Sequence, residues 1–316
     1  MVYDSHVDTP SELLRSRDIS IDNQTGHVDF PKLRRGGVDG SFFALYTSAE
    51  TAPDAATRRV MEMIAAVQDA VENDGNAVIT HTPDQAVINR EKGVFSVFFG
   101  MENGSPIQKS LSLLRMFHRL GVGYLTLTHN GDNAIADSAA EARTWGGLSP
   151  FGRGVIREMN RLGMMVDISH ASDDTFWDCI KFSKAPVIAT HSCCRSLCSH
   201  RRNLTDDMLR ALADVDGYVG INFYPFFLTD DAKPFPGIPD ILRHIDHAVE
   251  MCGIDHVGIG SDFDGIEVTP SGLDNVSMLP VLWEELLRHG YNKEEVDKIS
   301  GRNLMAVFQR VINCSE

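Results

Sequence analysis

Eight short apolar, β-branched runs recur along the whole chain, at residues 2–8, 40–47, 95–102, 122–129, 164–170, 186–191, 218–224 and 256–264. Amphipathic stretches such as ATRRVMEMIAAVQDAVEND, SLSLLRMFHRLG, GRGVIREMNRLG and ILRHIDHAVEMCG separate most of them, and several end on Gly, as helix C-caps do. Runs that are apolar throughout, without alternation, are what strands buried on both faces require, which points to a parallel sheet. Eight such strands, mostly separated by helices, predict a closed (β/α)8 barrel over an open doubly wound sheet. No G-x-G-x-x-G or P-loop follows any run, which removes the main support for a nucleotide-binding fold. Barrels often reach this length of 316 residues as one unit, and no composition break or internal repeat marks a second. One barrel domain over residues 1–316 is therefore expected.

Charge and composition exclude several classes of function. With 29 basic against 44 acidic residues, a net charge of -15, and no basic block longer than a dipeptide, the chain would repel a phosphate backbone. No nucleic-acid partner is expected. The first residues lack a basic region followed by an apolar run, and no window approaches the roughly 18 apolar residues of a membrane span. The expectation is a cytoplasmic chain with no membrane partner. Six cysteines are too few for a disulfide scaffold of this size, and they lack paired zinc-ribbon spacing. HSCCRSLC, at residues 191–198, reads as buried thiols in preference to a thiolate metal site.

In a barrel, reactive side chains come from the C-terminal ends of the strands. The polar residues of this sequence collect there: His6 and Asp8 at the first run, Glu102 at the third, His129 at the fourth, His170 at the fifth, His191 at the sixth, and Asp262 and Asp264 at the eighth. Residues i and i+2 of a strand point to the same side, so His6 and Asp8 can reach one ion in the barrel mouth. Imidazole and carboxylate ligands suit Zn²⁺, with Mn²⁺ and Fe²⁺ as close competitors. The ligand count favours two ions over one: His6, Asp8 and Glu102 for the first, and Glu102, His170 and His191 for the second. Glu102 and a shared hydroxide would bridge them. Neither ion would then be closed by protein alone, and an open position marks a catalytic site. The remaining histidines, His27, His81, His118, His200, His244, His247, His256 and His289, read as structural or surface residues.

DSHVDTP, GMENG, YLTLTHNGDNAIADS, GLSPFGRGVIREMNRLGMMVDISHAS, APVIATHS, RRNLTDDML, INFY and HVGIGSDFDG, in that order, resemble the membrane (renal) dipeptidase family, peptidase family M19 of the amidohydrolase superfamily. The resemblance runs from Val2 to about Val311 and implies a TIM barrel of the metal-dependent hydrolase type. It also implies a binuclear zinc centre that cleaves dipeptides, often with a D-residue at the C-terminal position. By motif it gives His6 and Asp8 to the first zinc, Glu102 to the bridge, and His170 and His191 to the second zinc. It gives His129 to the scissile carbonyl, Arg202 to the substrate carboxylate and Asp262 to acid/base work. A homodimer follows from the resemblance alone. No run ends in Lys, so the carbamylated-lysine branches of the superfamily have no candidate bridge. Gly131 stands where the resembling motif has Cys, and neither a leader nor a hydrophobic tail is expected from the sequence, which resembles the soluble microbial-type members.

The expected chemistry is metal-assisted peptide hydrolysis. Two cations lower the pKa of a bridging water towards about 7, and the resulting hydroxide attacks the carbonyl while Asp262 carries the proton to the leaving amine. His129 would stabilise the oxyanion. Arg202, or its neighbour Arg201, offers a planar fork to a carboxylate. Tyr224 and Asn222 are candidates for the pocket wall, and Asp264 for a supporting role. Two other readings stay open: a metal-dependent amidohydrolase acting on N-acyl amino acids or other small amides, and a non-catalytic metal-binding barrel.

Overall fold

The computed structural model describes residues 1–140, 143–231 and 235–315. Eight parallel strands form the barrel wall in chain order: β1 (Tyr3–Val7), β2 (Gly40–Tyr46), β3 (Phe95–Glu102), β4 (Val122–Thr126), β5 (Met165–Asp167), β6 (Val187–Ser192), β7 (Tyr218–Ile221) and β8 (Val257–Ile259). Helices follow them on the outside, among them Pro53–Asp74, Leu111–Arg119, Pro150–Leu162, Asp173–Phe182, Asp206–Asp214 and Ile238–Cys252. Ser110, Ser149, Ser172 and Thr205 each cap one of these helices by accepting the backbone N–H three residues on. The expected (β/α)8 TIM barrel is the observed fold. No helix among the described residues is long and apolar enough to cross a membrane.

The seam between β8 and β1 is closed by the segment after β8 rather than by β8 itself. Asp262 N–H donates to the His6 carbonyl at 3.1 Å, and Asp8 N–H donates to the Phe263 carbonyl at 2.9 Å. Val7 and Phe263 form a parallel bridge there. A ninth strand, Ala77–Ile79, was not legible in the sequence. It pairs with residues 95–97 of β3, on the edge that β4 takes over from Phe99 onward.

Aromatic rings fill the lower barrel. Phe42 lies 4.8 Å from Phe98 and 5.2 Å from Tyr124 between ring centroids, and Phe308 of the helix Asn303–Asn313 packs beneath them at 5.8 Å from Phe42. A second, larger apolar layer lies between the strands and the outer helices. Above the rings the interior becomes polar, because β3 presents Phe98, Gly100 and Glu102 on the same side. Glu102 thereby rises above an apolar floor into the barrel mouth.

Several strands are shorter than the apolar runs. His129, His170, Asp262 and Asp264 lie beyond β4, β5 and β8, in the loops that follow, not within the strands. His170, Asp262 and Asp264 have φ of 67°, 62° and 69°, left-handed backbone that ends a strand and turns its chain over the mouth. In the Pro/Gly-rich stretch DDAKPFPGIP, residues 230–239, which reads as a loop in the sequence, a helix already starts at Ile238, and positions 232–234 lie outside the described residues.

Gly100 shows how tightly floor and mouth are coupled. A Cβ at this position would overlap the Tyr124 ring, which is fully buried. The Gly100→Ala protein is expected to lose about 1–3 kcal/mol, read as a lower urea midpoint, because an overpacked core cannot shift a whole ring freely. An unchanged midpoint would show that the ring moves at no cost.

Candidate metal centre

Glu102 is the centre of the mouth. Its Oε2 lies 3.8 Å from His6 Nε2, which is itself 3.3 Å from Asp8 Oδ2. Its Oε1 lies 3.2 Å from His170 Nε2 and 3.6 Å from His191 Nε2. The two oxygens of one carboxylate thus face two different sets of histidines. Glu102 is only 3 % exposed.

Strand irregularities aim these side chains. The β1–β2 ladder slips by one residue between Asp4 and Val7, and the β6–β7 ladder slips between Ala189 and Ser192. Bulges of this kind redirect side chains next to active sites. The first lets consecutive residues both face inward: Ser5 donates to the Thr190 carbonyl at 2.5 Å, and His6 meets Tyr124. The second does the same for Thr190 and His191.

Hydrogen bonds at the far ring nitrogens set the tautomers. Thr190 Oγ1 donates its hydrogen to Asp167 Oδ2 at 2.7 Å, so it must accept from His191 Nδ1, 2.9 Å away. Asp167 also accepts from Thr126 Oγ1 and from the backbone N–H groups of Ser169 and Thr190. His170 Nδ1 donates to Asn130 Oδ1 at 3.0 Å. Both histidines therefore present a bare Nε2, and these two nitrogens lie 3.0 Å apart. Two lone pairs at that distance repel unless a cation lies between them and Glu102. His6 Nδ1 contacts Tyr124 Oη at 2.8 Å, while its Nε2 is buried with no hydrogen-bond partner.

The electrostatics demand a cation as well. Burial, reinforced by Asp8, pushes Glu102 well above the usual carboxylate range, and the same two causes raise Asp262. Burial is the largest influence on His6 and opposes its charge, but Glu102 and Asp8 outweigh it and push the imidazole up to about 10. Burial holds His170 and His191 well below the ordinary histidine value, with Arg202 and His6 respectively as the next cause. His170 and His191 are therefore neutral, as metal ligands must be, whereas His6 is cationic and would release its proton on binding a metal.

Among the described residues three groups converge closely enough to hold an ion: His6, Glu102 and His191; Glu102, His129 and His170; and His6, Asp8 and Asp262, with the offered atoms of each group within 4.8 Å of one another. These groupings overlap and divide the residues differently from the sequence expectation. His191 also faces His6, at 3.9 Å between ring centroids, and His129 stands beside His170 at 4.3 Å. Histidine nitrogen and carboxylate oxygen fit Zn²⁺. No cysteine belongs to any of the three groups. Cys193, Cys194 and Cys198 are buried free thiols whose Sγ atoms point at the carbonyls of Asn222, His244 and Phe226.

The centre opens into a cleft of about 610 Å³ whose lining includes Asp8, Glu102, His129, His170, Arg202, Tyr224 and Asp262. His129 is lowered to about 4 by burial and by Arg202, so it is neutral at pH 7. Arg202 is buried; its Nη2 donates weakly to the His191 carbonyl at 3.4 Å, and its Nε has no partner. Its guanidinium lies over the Phe227 ring, and burial pulls it down to about 10. Arg201 is exposed and absent from the cleft lining, so of the two neighbouring arginines only Arg202 turns inward. Asn222 donates to Asp262 Oδ2 at 2.9 Å and accepts from Tyr224 N–H at 2.6 Å.

Asp264 is a strut. It accepts from Thr9 Oγ1, Arg17 Nη1 and His27 N–H at 2.8–2.9 Å. His27 accordingly sits on the cleft wall, a placement its loop sequence did not signal. His244 is buried in the shell, accepting from Cys194 N–H at 3.0 Å and contacting the Leu228 carbonyl at 2.9 Å.

The family model of membrane dipeptidase (peptidase family M19) matches residues 1–316. An uncharacterized dipeptidase of Schizosaccharomyces pombe is 34% identical over 328 residues, covering 98% of this chain and 80% of the relative. A metallo peptidase from Rhodobacter sphaeroides, solved with a phosphinate mimic of the dipeptide L-Ala-D-Ala, superposes with a TM-score of 0.91 at 30% identity, covering 98% of this chain and 99% of that one. Dipeptidase AC, a metallo peptidase of family M19, gives 0.92 at 30% identity, covering 98% of each chain.

Because Thr190 sets the His191 tautomer, the Thr190→Val protein is expected to bind Zn²⁺ about 10–100-fold more weakly, measured by competition with a chelating dye, at unchanged circular dichroism. Equal affinity would show that Thr190 does not orient His191.

Proposed function

The chain belongs to the membrane dipeptidase family, peptidase family M19, and we propose that it is a binuclear zinc dipeptidase that also accepts a D-residue at the C-terminal position. The observation that carries this reading is the division of Glu102, with one oxygen towards His6, which itself meets Asp8, and the other towards His170 and His191. A single ion has no need of such a carboxylate, whereas two ions sharing a bridge do. In this reading residues 1–316 are one catalytic barrel.

His6, Asp8, Glu102, His170 and His191 would hold the ions, which when bound supply a strongly acidified water and polarise the scissile carbonyl. The remaining work falls to the cleft. Arg202 has the unpaired fork and the buried setting to hold the α-carboxylate of the C-terminal residue, which restricts substrates to very short peptides. His129, neutral and beside His170, can donate a hydrogen bond to the carbonyl oxygen as negative charge develops on it. Asp262 lines the cleft, with its Oδ2 held by Asn222. Its raised proton affinity suits a group that takes a proton from the attacking water and returns it to the leaving amine. Water is consumed and two free amino acids leave. Asn222 fixes the Asp262 carboxylate, and Tyr224 walls the cleft beside Phe227, at 5.0 Å between ring centroids.

The reading is tested by assaying zinc-loaded protein on L-Ala-L-Ala, L-Ala-D-Ala and N-acetyl-alanine, before and after chelation and in the Asp262→Asn protein. Both dipeptides should be cleaved, chelation should abolish cleavage, and Asp262→Asn should lower kcat by about 10²–10⁴ while zinc is retained. Cleavage of N-acetyl-alanine alone would instead make the chain an N-acyl amidohydrolase with the same centre. Near-normal kcat in Asp262→Asn would remove the proton-carrying role.

A further inference from the structure

Four arginines line the cleft, and three of them are accounted for. Arg17 pairs with Asp264 at 2.8 Å and with Glu12 at 2.7 Å, and Arg15 lies 2.5 Å from the same Glu12. Arg202 faces the α-carboxylate in the reading above. Arg59 has no carboxylate within ion-pair distance among the described residues. Its Nε–H donates to the Tyr46 carbonyl at 3.3 Å, which anchors the base of the guanidinium to the wall. The two Nη groups at the tip of the fork have no hydrogen-bond partner among the described residues. A half-buried arginine held at Nε and free at both tips is preorganised for a bidentate carboxylate.

Its position specifies which carboxylate. Arg59 belongs to the helix Pro53–Asp74, which follows β2, whereas Arg202 lies in the loop after β6. In an eight-stranded barrel with strands in chain order, β2 and β6 stand opposite each other across the axis. A dipeptide with its α-carboxylate on Arg202 and its peptide bond over the central metal ligands must direct its N-terminal residue towards the β2 wall. Tyr46, the last residue of β2, forms that wall and packs edge-on against His129 at 4.8 Å. We propose that Arg59 is a specificity residue that selects dipeptides carrying an acidic side chain, Asp or Glu, on the N-terminal residue. This rests on the dipeptidase reading and deepens it.

The test uses pairs of substrates of equal shape. The ratio of kcat/KM for L-Glu-L-Ala to that for L-Gln-L-Ala should be about ten or more in the wild-type protein, since a site built to pair with a charged group discriminates against the neutral isostere. The ratio should fall to about one in Arg59→Gln, and Arg59→Glu should shift preference to L-Lys-L-Ala. Placing the acid on the other residue, as in L-Ala-L-Glu, should give a smaller dependence on Arg59. A wild-type ratio near one, or a ratio that survives Arg59→Gln, would overturn the assignment while leaving the dipeptidase reading intact. If none of these dipeptides is cleaved, both fall together.

Discussion

The structure depends on a concentration of buried charge that protein alone does not neutralise. Glu102, Asp8 and Asp262 converge in the barrel mouth with four histidines, His6, His129, His170 and His191, and the last two turn bare Nε2 atoms towards each other. Crowded buried carboxylates cost several kcal/mol; His6 offsets part of this beside Asp8 and Glu102, while Arg202, buried in the cleft lining, makes no ion pair with them among the described residues. A fold that keeps these groups together without cations would be destabilised by them. A divalent cation held among these groups would turn the same arrangement into a source of stability.

The rest of the barrel is arranged to hold that cluster still. Aromatic rings fill the floor, and the Tyr124 hydroxyl at the top of that layer touches His6. Two bulges turn consecutive residues of β1 and β6 into the interior. Asp167, fully buried, fixes Thr190, and Thr190 in turn fixes His191. The left-handed backbone at His170 and Asp262 brings loop residues back over the axis, and the Asp262 N–H bonded to the His6 carbonyl makes barrel closure and site assembly one event. Positive φ at non-glycine residues costs about 1–3 kcal/mol each and persists where its surroundings impose it.

The strands were legible because residues buried on both faces leave an unbroken apolar run, and the candidate site residues were legible because polar residues at the ends of such runs are out of place. The points where strands stop were not. LTLTHN and VDISHAS pass from strand to loop without a glycine or proline, and only the backbone reveals the turn at His170. Ala77–Ile79 is three residues long and carries no periodicity. The supports of the site, Tyr124, Thr190 and Asp167, are ordinary members of strand sequences, and their roles exist only across strands. The choice between Arg201 and Arg202 likewise depends on which of two adjacent residues the loop buries, a tertiary fact. The unpaired state of Arg59 belongs to the same class.

Diffraction from crystals grown with zinc, collected at the zinc absorption edge, tests the division of Glu102 most directly. Two anomalous peaks are predicted, one within coordination reach of Glu102 Oε2, His6 and Asp8, the other within reach of Glu102 Oε1, His170 and His191. A single peak ligated by all of these residues, or zinc bound elsewhere with Glu102 unliganded, would contradict a binuclear centre.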